Sequence, residues 1–201
     1  MSYVLHGRVR SRAMRVLWML EEAGLRYRLV DAMPRSEGVR ALSPLGKIPV
    51  LETPEGPVFD STAILHHLAD RHGACTHEAG SHARARQDAV AFAALEMLDA
   101  PLWEIAKNKF VLPEAERVAA AVEPLRAQVA RHAGIVADLL DGAFAAGDLF
   151  TVADIVVAHC AGWAAGLRID VGDGLRDHMH RMRARPAFER AQRRGAEAEA
   201  A

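Results

Sequence analysis

The sequence predicts an α+β chain in two parts: a β-α-β/β-β-α unit over residues 1–71 and an all-α helical bundle over 82–195. Three observations predict it. Short apolar runs bounded by turn residues end by Phe59; beyond Gly80 the apolar residues recur at helical spacing only; and His72 to Gly80 has no periodicity, which makes 72–81 a linker.

Tyr3-Val4-Leu5-His6 is a strand ended by Gly7. From Ser11, the apolar positions Met14, Leu17, Trp18 and Leu20 keep helical period up to Gly24, with a serine cap at the start and a glycine stop at the end. Tyr27 to Val30 is a second strand, parallel to the first because a helix joins them. Residues 34–46 are irregular or weakly helical. Ile48 to Leu51 reads as a third strand with Pro49 inside it, so one position cannot enter a ladder. A Pro-Glu-Gly turn at 54–56, a strand at 57–59 and a helix over 61–70 complete the unit.

In the second half, Arg84 to Lys107 is one amphipathic run in which Pro101 predicts a kink. Pro113 suits the first turn of a helix reaching about Leu140, which Pro124 either bends or divides. Thr151-Val152-Ala153-Asp154 is a capping box, with Phe150 and Ile155 as its hydrophobic staple. The helix it opens, Ile155 to Ala165, is apolar nearly all round and therefore central to the bundle. Asp173 to Arg183 and Pro186 to Arg194 are the last helices, and Ala196 to Ala201 reads as a frayed tail.

The charge balance, 25 basic against 26 acidic residues, gives no electrostatic reason for a nucleic-acid or membrane partner. The arginines from Arg176 to Arg194 are interleaved with Asp177 and Glu189, the pattern of a solvated face. No apolar run is long enough to span a bilayer and the N-terminus has no hydrophobic signal core, so a cytoplasmic setting is expected. Cys75 and Cys160 lack metal or redox spacing: Cys160 is expected as a small core residue, Cys75 as an exposed linker thiol, and no metal is expected.

Two stretches carry the functional expectation. Ser43-Pro44-Leu45-Gly46-Lys47-Ile48-Pro49-Val50-Leu51 presents a proline-interrupted edge, and Asp60-Ser61-Thr62-Ala63-Ile64 places Ser61 at a helix mouth whose free N–H groups favour an anion. Side by side they form a cradle for a peptide-like ligand bearing a carboxylate.

These two motifs, the capping box at 151–154 and Arg-Pro-Ala-Phe-Glu-Arg-Ala at 185–191 occur in an order that resembles the soluble glutathione transferase family, in particular bacterial members with an active-site serine. The resemblance spans nearly the whole chain. It implies a thioredoxin-like N-terminal domain, a cis peptide before Pro49, a homodimer, and glutathione as co-substrate. It further implies that Ile48 pairs its backbone with the cysteinyl part of glutathione, as an added strand does. Ser61 then holds the γ-glutamyl carboxylate, Asp60 meets the ammonium, and Lys47 clamps a carboxylate; many relatives carry Glu at the position of Asp60.

Family members favour the glutathione thiolate with a hydroxyl or thiol from the loop after the first strand. That loop, Gly7 to Arg12, holds neither Tyr nor Cys, so Ser11 is the catalytic candidate, with a plain helix cap as its other reading. Arg10 stands where several bacterial relatives carry cysteine; Arg10 or Arg12 either stabilises the thiolate or is simply exposed. Arg10, Trp103, Lys107 and Asn108 are candidates for lining an electrophile pocket; Trp103 is equally a core candidate and Lys107 a snorkelling one. The implied activity is conjugation of glutathione to small hydrophobic electrophiles, as in detoxification. Its alternatives are a glutathione-dependent isomerase or dehalogenase and a non-catalytic glutathione-binding or scaffold protein.

Overall fold

The computed structural model describes residues 3–200. Two compact units divide the chain. The first takes residues up to Ala79 together with Arg183 onward, and the second is Gly80–Met182.

In the first unit, β1 (Tyr3–His6), α1 (Ala13–Glu22), β2 (Tyr27–Val30), α2 (Glu37–Leu42), β3 (Val50–Thr53), β4 (Gly56–Phe59) and α3 (Ser61–His72) follow one another. The sheet order is β2-β1-β3-β4; β1 and β2 are parallel and the other pairs antiparallel. The third strand begins at Val50 rather than at Ile48, and Ile48-Pro49 is a cis peptide just ahead of it. The reason for the later start is the missing N–H of Pro49: the ladder to β1 opens with His6 opposite Val50. Leu5, Leu17, Leu20, Leu51, Ile64 and Leu68 are fully buried and form the core of this unit.

The last helix, α9, runs Pro186–Ala200, past the point where the alanine-rich end suggests fraying. It packs on α1. Trp18 meets the Phe188 ring edge-on at 4.8 Å, Arg185 grips Glu22 with two bonds of 2.7 and 2.9 Å, and Arg190 bonds Glu21. Part of the arginine series is thus committed to specific carboxylates rather than to solvent alone.

The second unit holds α4 (His82–Ala94), α5 (Ala100–Ala106), α6 (Val122–Leu139), α7 (Val152–Gly166) and most of α8 (Gly172–Arg183). A π-helical turn, Leu95–Asp99, joins α4 to α5 where the sequence predicts a kink at Pro101. Pro101 lacks the N–H that would reach back to Met97, and His132 Nδ1 on α6 bonds that carbonyl at 2.9 Å instead. The helix expected from Pro113 is replaced by two single 3₁₀ turns, Glu114–Glu116 and Ala119–Ala121. α6 starts only at Val122, so Pro124 neither bends nor divides it: it sits in the first turn, where no N–H is needed.

α7 is buried over most of its length. Its capping box is formed: Asp154 accepts from Thr151 N–H at 2.8 Å, and its other oxygen accepts from Ala145 N–H at 2.7 Å. Cys160 is fully buried; Cys75, expected to be exposed, is half-buried with φ of 55°. No helix of the described residues is long and apolar enough to cross a membrane.

Candidate functional site

Strand register gathers the predicted elements at one end of the sheet. His6 lies opposite Val50, and Val50 opposite Phe59. The residues just beyond these pairs are therefore neighbours: the loop from Gly7, the Ile48-Pro49 peptide, and Asp60-Ser61. Gly7 is part of this closeness. A Cβ there would overlap Ala13 Cβ at 2.4 Å, so glycine lets the loop close against the start of α1, with Pro49 Cα 3.8 Å from the same point.

Ser61 is the first residue of α3 and only 3% exposed. Its hydroxyl accepts from Arg15 Nη1 at 3.4 Å, and Arg15 is itself buried at 1% exposure. The sequence reading passed over Arg15, although a guanidinium amid the apolar run Ala13 to Leu20 is a signal in itself: a buried cation needs partners. Behind the α3 N-terminus there is thus a positive charge, which adds to the helix's own preference for an anion.

Asp60 takes a role the sequence reading did not give it. It is the helix cap, with Oδ1 accepting from the N–H of Thr62 at 2.9 Å and of Ala63 at 3.1 Å, and its backbone is left-handed at φ 69°. The signal was available, since Asp is a preferred cap residue immediately before a helix. Asp60 is exposed, as is Lys47, while Ile48 is half-buried.

In the loop, Ser11 Oγ donates to Arg8 O at 2.7 Å and accepts from Ala13 N–H at 3.1 Å. The loop is pinned from two sides. Arg8 holds Asp31 with bonds of 2.6 and 2.7 Å, which keeps that carboxyl below the usual carboxylate range, and Val9 N–H donates to Glu199 on α9 at 2.8 Å. Arg10 is exposed and Arg12 half-buried.

The other candidates lie in the helical unit. Lys107 pairs with Glu104 at 2.7 Å. Asn108 donates to Glu104 O at 2.9 Å and accepts from Val118 N–H at 2.8 Å, so both ends of its amide brace the π-helical turn Lys107–Val111. Trp103 is half-buried on α5.

Comparison with known proteins bears on this arrangement. The family model described as the N-terminal domain of glutathione S-transferase matches residues 10–71, and that of the C-terminal domain matches 98–186. Elongation factor 1-gamma of Prunus avium is 35% identical over 75 residues, covering 34% of this chain and 18% of that protein. The chain therefore matches less than a fifth of that relative's length. Glutathione S-transferase 3 of Schizosaccharomyces pombe is 37% identical over 75 residues, covering 35% of this chain and 31% of that protein. Among solved structures, the glutathione transferase URE2P8 from Phanerochaete chrysosporium with oxidized glutathione superposes with a TM-score of 0.86 at 17% identity, covering 99% of this chain and 97% of that one. At that identity the likeness is one of fold. With an N-terminal and a C-terminal domain model of one family matched in order over most of its length, the chain belongs to the glutathione S-transferase family.

Proposed function

We propose that this protein binds glutathione where the Ile48-Pro49 peptide, the α3 N-terminus and the Gly7 loop converge, and transfers its thiolate to small hydrophobic electrophiles. The observation that carries the reading is the pairing of Ser61, at the mouth of α3, with the buried Arg15 beneath it. A neutral ligand gains little from that pairing; a carboxylate gains a helix terminus, a hydroxyl and a cation together. Ile48 offers backbone groups to the middle of the tripeptide, and Lys47 is near enough in sequence to reach its other carboxylate. In the reaction the thiol gives its proton to solvent, and the thiolate attacks the electrophilic carbon and expels the leaving group. Ser11 turns its hydroxyl from Arg8 O to the sulfur, with Arg10 as the second candidate for that charge. Homodimeric assembly and a cytoplasmic setting belong to the same reading.

A second reading, glutathione binding without turnover, is favoured by one observation: the Ser11 proton is already committed to Arg8 O. The two separate in one experiment. Retention on immobilised glutathione with turnover of an aryl halide supports the transferase. Retention without turnover of any aryl halide supports the binder, and no retention overturns both.

A further inference from the structure

We propose that Asp99, His159 and Cys160 form a transition-metal site inside the helical unit, with zinc as the fitting ion. One carboxylate, one imidazole and one thiol offer ligand atoms that all lie within 4.8 Å of one another. Cys160 Sγ is 3.9 Å from Asp99 Oδ2. Ordinary zinc–sulfur and zinc–oxygen bonds at a tetrahedral angle hold those two atoms about 3.5 Å apart, so side-chain rotation closes the difference.

The backbone accounts for the convergence. Asp99 is the last residue of the π-helical turn between α4 and α5, a form of helix with an added residue per turn that recurs at functional sites. His159 and Cys160 are consecutive on α7, and the His159 ring lies edge-on to Trp163 at 6.4 Å. Cys160 is fully buried and Asp99 6% exposed, whereas His159 is half-buried. An ion therefore enters past His159 and keeps its fourth position, a water, on that side. Three protein ligands with one open position is a common zinc arrangement, and a sulfur–nitrogen–oxygen set selects against magnesium and calcium.

Charge favours the same occupant. A divalent cation balances the carboxylate and the thiolate together. The Cys160 thiol, directed at Asp99 and at the Ala94 carbonyl at 3.9 Å each, releases its proton to solvent as the metal binds, so affinity rises with pH.

The test is a titration of the metal-stripped full chain with cobalt(II), followed by absorption. The expected result is a sulfur-to-cobalt charge-transfer band that saturates at one ion per chain and is bleached by zinc. Cys75→Ser keeps the band and Cys160→Ser removes it; Asp99→Asn and His159→Gln each weaken binding at least about tenfold. A wild-type chain with no band, a band surviving Cys160→Ser, or wild-type affinity in His159→Gln overturns the site. Because His159 is half-exposed and its replacement conservative, that last arm decides even where a buried variant fails to fold.

Discussion

Ser11 Oγ gives its proton to the carbonyl oxygen of Arg8, 2.7 Å away, while accepting from Ala13 N–H. A hydroxyl held this way is a turn residue in the resting protein and becomes a thiolate donor only by rotating. Ser11→Ala is therefore expected to lower kcat/KM by about a hundredfold or more, the scale of losing one donor to a developing anion, and to leave the Kd for glutathione within about threefold. Stability falls by about 1 kcal/mol from the lost turn bonds. Steady-state kinetics beside calorimetry checks it; an unchanged rate makes Ser11 structural only.

Asp154 and His178 set up opposing pH dependences. Both are fully buried, with His178 Nε2 3.4 Å from Asp154 Oδ1 and neither ring nitrogen hydrogen-bonded among the described residues. Burial pushes Asp154 up to about 6, against the hydrogen bonds from Thr151 and Ala145, and pushes His178 down to about 4, with the Arg181 charge acting the same way. Between about pH 4 and 6 the folded Asp154 keeps a proton the unfolded chain has lost, so its share of stability falls as pH rises. His178 runs the other way: up to about pH 6.5 the unfolded chain holds a proton the folded one lacks, so its share rises with pH. Relative to wild type, Asp154→Asn is expected to tilt stability upward with pH across this window, and His178→Gln to tilt it downward. Urea unfolding at pH 4.5, 5.5 and 6.5 reads both slopes.

His132 acts for the N–H that Pro101 lacks. His132→Ala leaves the Met97 carbonyl without that bond and is expected to cost about 1–3 kcal/mol. Pro101→Ala restores a backbone donor and should reduce that cost, giving a coupling energy in the double-mutant cycle; strict additivity in denaturant unfolding contradicts it.

The loop after β1 is also clamped from behind. A Cβ at Gly195 on α9 would fall 2.6 Å from both Cβ and Cγ2 of Val9, atoms too close to the backbone to swing aside. Gly195→Ala gains about 1 kcal/mol of helix propensity but loses about 1–3 to overlap, so a net loss is expected. Turnover should drop with it, and Val9→Gly in the same chain should restore stability. Thermal melts and the aryl halide assay follow both.

Much of this fold was readable from residue pattern alone. β1, β2 and β4 come from short apolar runs between turn residues, and the capping box at Thr151 is a local exchange of bonds that needs no tertiary partner. What escaped was set by distant partners. The π-helical turn has its Met97 carbonyl bonded by His132, 35 residues on, and the end of α9 takes the Val9 N–H at Glu199, 190 residues away in sequence. At the candidate site, the strand break at Pro49 and the helix start at Ser61 were legible because both are set by local backbone chemistry. Arg15 shows in the sequence only as a cation inside an apolar run, since its partner Ser61 lies 46 residues on.

Calorimetric titration of glutathione into the wild-type chain and into Ser61→Ala tests the central reading most directly. Loss of a hydrogen bond to a charged group is worth about 1.5–3 kcal/mol, so the expected result is saturable binding to wild type, weakened about tenfold to a hundredfold by the substitution. Equal affinity in the two proteins, or no heat from either, contradicts a glutathione carboxylate held at the mouth of α3.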